Sequence, residues 1–182
     1  GIEVHVDYII GLTFDTLQSV HHDIDVLRNQ VKVDFASLFM RVPLPGSKDH
    51  WQMVQDGVPM DADYNNFDGL HETFRHPKMA PGEWRKAYDD AMLALYDKQN
   101  IVNVLLRVPQ ESRSHLFWTF VWYRFCALEG CHPMATGLFR LKDRKSRRAS
   151  FPRENVFAYA WRRAKDSVRG LKRYAGLFFE FQ

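Results

Sequence analysis

Tyr8-Ile9-Ile10-Gly11-Leu12-Thr13-Phe14-Asp15-Thr16 runs an apolar stretch into a glycine and then into residues that start helices. This pattern predicts a buried strand, a tight turn and a helix N-terminus. Val4, Val6 and residues 8–10 form a strand pattern with a nearly continuous apolar end, as expected for a parallel strand covered on both faces. The helix is expected to begin near Asp15 or Thr16. Either side chain can take a free N–H group, and Gln18 stands three residues after Asp15 in a capping-box-like arrangement. Leu17, Val20, Ile24 and Leu27 follow at helical spacing.

A second apolar run, residues 33–42, ends in Pro43-Leu44-Pro45-Gly46-Ser47. The crossover between the runs is long enough for a right-handed β-α-β connection, so the strands should lie parallel with both C-terminal ends on one side. In barrels and open α/β sheets that side carries the ligand, which singles out residues 11–15 and 41–47.

Further along, residues 48–55 predict a short helix stopped at Gly57. Residues 58–77 form a long polar and aromatic loop containing Asp61, Asp63, Tyr64, Asn65, Asn66, Asp68, His71 and His76. Pro81 marks a helix start. Trp84, Ala87, Tyr88, Ala91, Met92, Leu95 and Tyr96 then repeat as one inward face. Another helix is expected over 98–107. The stretch 116–128 is apolar nearly all round, as expected of a buried or interfacial helix. Residues 137–152 have no hydrophobic period and read as an extended linker. The final helix, about 155–174, collects Phe157, Ala160, Trp161, Ala164, Val168 and Leu171 on one face, with most of its Arg and Lys elsewhere.

With 182 residues, 46% hydrophobic and 14% aromatic, the chain can bury a core, and no apolar run reaches the ~20 residues of a spanning helix. It begins with Gly and shows no signal-peptide pattern, so it is expected to be part of a longer cytoplasmic protein. Its two cysteines, Cys126 and Cys131, are too few for a disulfide scaffold and lack zinc or iron–sulfur spacing; reduced thiols are expected. The net charge of +3 hides an asymmetry. Residues 140–173 hold 13 Lys/Arg against 3 Asp/Glu, and the remainder holds 12 against 19. Such a basic block attracts phosphate groups on lipid or nucleic acid, or else is a solvated helix face.

No nucleophile elbow, P-loop or glycine-rich dinucleotide motif is present. His21 and His22 are expected on the outer face of the first helix. His71 and His76, flanking a polar loop that can fold over the strand ends, are the candidate acid/base residues. Asp61, Asp63 and Asp68 match no metal-binding loop pattern, and no metal site is expected in this chain.

The run 9–20 resembles the fifth-strand signature G-L-P-G-E-T-x-E-S of radical S-adenosylmethionine (SAM) enzymes, and Pro43-Leu44-Pro45-Gly46-Ser47 resembles their P-x-P-G-S/T loop after the sixth strand. Gly57 to Asp61, Tyr64 to Asp68, His71, His76 to Met79 and Gly130 to Pro133 resemble the C-terminal extension of the branch that often carries an N-terminal cobalamin-binding domain. The resemblance implies an α/β fold: residues 1–57 as the last two β/α units of a TIM-like barrel, 58–80 as a lid or connecting loop, 81–136 as a helical extension, and 137–182 as a basic linker and amphipathic helix. It implies that Tyr8, Ile9, Gly11, Leu12, Phe39, Arg41 and Pro43 line the adenine side of a SAM pocket. Tyr64, Asn65, Asn66, His71 and His76 would face the substrate, which is small or lipid-like. Thr13 and Phe14 stand where the family has Pro and Gly, and Asp15 where it has Glu.

The implied activity uses a 4Fe–4S cluster to cleave SAM, and the 5′-deoxyadenosyl radical then takes a substrate hydrogen. The C-x3-C-x2-C cluster loop follows the first barrel strand and is not in this chain, so the missing N-terminal barrel part is the expected partner and the chain alone should be inactive. Under this reading nucleic acid is not a partner. The rival reading is a non-catalytic peripheral module that binds anionic membrane or nucleic acid through its basic C-terminal helix.

Overall fold

The computed structural model of the chain describes residues 2–135 and 155–181. Strands β1 (His5–Ile10) and β2 (Phe35–Met40) pair in parallel, with Tyr8 opposite Leu38 and Ile10 opposite Met40. Helix α1 (Leu17–Asp25) lies between them in sequence, so both C-terminal ends fall on one side. Beyond α1 the chain widens into π-type turns over Val26–Val31 and stops at Lys32, whose φ of +57° is left-handed. Asp34 then fixes the register. It takes the Val4 N–H on its side chain, donates its own N–H to Val4 O, and is clamped by the Arg107 guanidinium at 2.7 Å.

Among the described residues one face of this sheet is covered, where two were expected. Ile10, Ala36, Leu38 and Met40 are buried, whereas Ile9 is 48% exposed. The covering elements are α1 and α3 (Glu83–Leu95), which pack on each other while α3 also meets both strands. Helix α3 buries the expected face, Trp84 to Leu95 at helical spacing. It starts two residues after Pro81, with Gly82 as its N-cap. Glu72 supplies the capping that Gly82 cannot, accepting the N–H groups of Gly82 and Arg85. Helices α2 (Lys48–Gln55) and α4 (Lys98–Arg107) lie where the sequence places them.

The N-terminus of α1 also differs from expectation. Thr16 alone is the N-cap, exchanging hydrogen bonds with Ser19, whose hydroxyl takes the Thr16 N–H. Gln18 has no part in this box, because Asp15 is engaged elsewhere. Residues 58–77 are far from structureless. They contain a 3-10 turn over Tyr64–Asn66 and an antiparallel bridge between Met60 and Phe74, and they bury Leu70, Thr73, Phe74 and His76.

Contacts divide the chain into two units, Gly1–Leu116 and Phe117–Gln182, with helix α5 (Gln110–Glu129) running across the division. In the second unit the later part of α5 pairs with α6 (Val156–Glu180). Phe117 meets Phe178 and Phe181, Phe125 stacks on Tyr174 at 4.2 Å, and Glu129 pairs with Arg173, so the two run antiparallel. Phe120, Val121, Phe125, Cys126 and Leu177 form its core, and both cysteines are free and buried. Of the two expectations for α5, buried or interfacial, full enclosure does not hold: Phe120, Val121, Phe125 and Cys126 are buried while Trp118 is 58% exposed. The expected linker, residues 137–152, lies outside the described residues. Among those described, no helix is long and apolar enough to cross a membrane.

Candidate functional site at the strand ends

The turn after β1 is closed by a single carboxylate. Asp15 is buried, and its Oδ2 accepts the N–H groups of Gly11 and Leu12 at 2.8 Å each, while its own N–H returns to Leu12 O. Two charge-assisted bonds on one oxygen hold the backbone in a fixed loop. Gly11 has φ +102°, and a Cβ there would lie 2.1 Å from the Trp84 indole. Glycine is therefore required twice over, by conformation and by space. Trp84 takes that space because its indole N–H donates to Ile10 O at 2.9 Å.

His76 completes the closure. Its Nε2–H donates to Leu12 O at 2.9 Å, while Nδ1 accepts the N–H groups of Lys78 and Met79, which fixes the tautomer. Its ring sits 5.5 Å from that of Trp84, with Phe74 edge-on to the same indole at 5.1 Å. Lys78 reaches Phe14 O, and Gly69 O accepts from Met40 N at 2.8 Å. Residues 58–80 therefore fold back over both strand ends and bond to their backbone.

The end of β2 is anchored in parallel. Arg41 N–H donates to Ile10 O, and its guanidinium reaches both oxygens of Asp49 at 2.9 Å while lying over the Phe74 ring. Pro43 is buried. Ser47 caps α2 through the His50 N–H, and the His50 ring packs against Tyr64 and Phe67.

The residues expected to form an adenine wall thus divide. Tyr8 lies on the covered side, where its hydroxyl donates to Asp23 at 2.7 Å; burial, and after it the Asp23 carboxylate, push the phenol up. Gly11 lies under Trp84. Ile9 and its register partner Phe39 share the other face, and Leu12 stands at the rim, 36% exposed. Among the residues expected to face substrate, Tyr64 and Asn65 are exposed, and Asn66 donates to Asp61. The two candidate acid/base histidines also part company. His76 is a buried backbone clamp, while His71 is exposed and bonded to Asp68 at 2.8 Å.

The acidic loop residues spend themselves on local turns. Asp61 takes the Asp63 N–H and the Asn66 amide, which hold its carboxyl below the usual range, and Asp68 takes the Leu70 N–H. Among the described residues no group of three or more His, Cys, Asp or Glu is placed to hold a metal ion. His21 and His22 are exposed on the outer face of α1, as expected, and His21 also has a partner on α3. Its Nε2–H donates to the Asp90 carboxylate at 2.9 Å, and although burial opposes it, Lys86 and His21 hold the Asp90 carboxyl below its ordinary value.

Sequence reasoning missed Trp84 as the partner of Gly11 and Asp15 as the lock of the turn. An Asp three residues after Leu12, in a turn that opens on a glycine, was a usable local signal. The Trp84 contact spans 74 residues and had none. Comparison with family models, with curated proteins and with solved structures finds no match.

Proposed function

We propose that this chain supplies the last two β/α units and the C-terminal extension of a radical SAM enzyme of the barrel type, in the branch that often carries a cobalamin domain. The reading is supported by the motif resemblance and by one observation: two parallel strands, joined through α1, end together beside an open sheet face that carries Ile9 and Phe39. In a closed barrel such a face would look into the lumen.

SAM and its 4Fe–4S cluster, when bound in the intact protein, supply hydrogen-abstracting radical chemistry. The residues here fit the adenine end of SAM in part. Ile9, Phe39 and Leu12 offer apolar surface at the strand ends, whereas Gly11 and Tyr8 are engaged on the covered side. This chain's own work is to hold those apolar side chains in place through the Asp15 turn and the His76 clamp, and to exclude water with residues 58–80. Two cysteines cannot supply three thiolate ligands, so the cluster ligands belong to the missing barrel part.

The test uses the protein extended by its upstream coding sequence and titrated with SAM. Ile9→Glu, on the exposed face, should weaken binding at least about tenfold while leaving the far-UV circular dichroism unchanged. An upstream sequence without a cysteine triad, or unchanged SAM affinity in that variant, removes the reading. Bulky substitutions at Gly11 do not discriminate, since they would collide with Trp84.

A further inference from the structure

Helix α6 is amphipathic, yet the face it turns outward is the apolar one. Phe157, Trp161, Val168, Leu171 and Phe179 are 84%, 70%, 52%, 55% and 71% exposed, and their spacing places them on one stripe of a helix about 37 Å long. The side packed against α5 is centred on Tyr174 and Leu177. Both acidic residues of α6 lie off the stripe and are paired, Asp166 with Arg169 and Glu180 with Arg124. Lys165 and Lys172 border the stripe with no ion-pair partner among the described residues.

The chemistry of that face selects its occupant. It carries cations and no anions, so its counter-surface should be anionic. A second copy is a poor match: antiparallel pairing about Val168 would bring the Lys165 and Lys172 side chains together. Nucleic acid would leave the aliphatic and aromatic stripe facing phosphate. At the first turn Val156, Phe157 and Tyr159 are all exposed and together spread over nearly half of the helix, about 160° at ~100° per residue, wider than the seam a partner helix covers. A lipid phase has no such limit, and Trp and Tyr favour its interface.

We infer that α6 lies flat on an anionic bilayer surface, with Phe157, Trp161, Val168 and Leu171 inserted at the headgroup boundary and Lys165 and Lys172 against lipid phosphates. This membrane contact is independent of the radical SAM reading, because it uses none of the strand-end residues.

The experiment is co-sedimentation of the 182-residue chain with vesicles of phosphatidylcholine alone or with about 30% phosphatidylserine. Binding should require the anionic lipid, weaken steeply with salt, and shift Trp fluorescence to the blue. Phe157→Ser with Trp161→Ser should weaken it at least about tenfold, and Lys165→Gln with Lys172→Gln about twentyfold. Leu106→Ser, an equally exposed apolar position on α4, should change nothing. Circular dichroism confirms that each variant remains helical. No binding above the vesicle-free control, binding retained by both α6 variants, or a dimer dissolved by Trp161→Ser in a chain that ignores vesicles would each overturn the inference.

Discussion

Helices α3 and α6 are both amphipathic and both carry a tryptophan on their apolar stripe, but they use it in opposite ways. In α3, Trp84 is almost fully buried, donates to a strand carbonyl and fills the notch left by Gly11. In α6, Trp161 stands 70% exposed and the helix packs through Tyr174 and Leu177. The periodicity of a sequence identifies a face, and the shape and polarity of the surface opposite decide whether that face turns inward. For α3 the opposite surface is a strand pair with an accepting carbonyl. For α6 it is a single helix whose own aromatic residues already fill the contact.

The sharpest way to break this comparison is to delete both indoles. Trp84→Ala should cost about 3–5 kcal/mol in urea denaturation through the lost transfer energy, the cavity and the loss of one of the two hydrogen bonds to the Ile10 carbonyl. Trp161→Ala should stay within about 0.5 kcal/mol. Equal losses would mean that α6 is packed through its apolar face after all.

Next in size is Gly11→Ala, expected to cost about 2–4 kcal/mol from overlap with the indole and from the left-handed φ. In a Trp84→Ala background only the conformational part, about 1–2 kcal/mol, should remain. Additive losses in the double variant would show that the notch is not what demands glycine.

Asp15→Ala should follow at about 2–3 kcal/mol, since it orphans two backbone N–H groups, whereas Asp15→Asn keeps an acceptor and should lose about 1 kcal/mol. Identical effects of the two variants would rule out the double acceptance as the source.

The smallest effect is alkaline. The Tyr8 phenol is pushed up in the folded chain, so its contribution is fully present below the ordinary tyrosine value of about 10 and is lost as pH rises from there toward the raised folded value. Tyr8→Phe should remove that part of the alkaline slope and cost about 1 kcal/mol at neutral pH. A slope unchanged by the substitution would assign it to another group.

What could be read from the chain in advance follows the range of the forces involved. The parallel strand pair, α2, α4 and the buried face of α3 rest on local periodicity and were legible. The Thr16 and Ser19 box was missed because Asp15, an equally good cap on paper, is taken by Gly11 and Leu12. Residues 58–77 read as a polar loop able to fold over the strand ends, but nothing local shows that Leu70 and Phe74 are buried in doing so. His76 was legible as a residue near those ends, but its role as a backbone clamp depends on Leu12, 64 residues away. The apolar stripe of α6 was legible, and its outward direction was not.

Three of the polar ties that hold the strand pair come from far downstream. Trp84 reaches Ile10 across 74 residues, Tyr96 reaches Ala36 across 60, and Arg107 reaches Asp34 across 73. On the ribosome the two strands therefore emerge long before these three groups, and the apolar residues of β1 and β2 stay incompletely covered until α3 has left the tunnel. Chaperone demand during synthesis should peak over that interval and fall once Arg107 is free to close on Asp34.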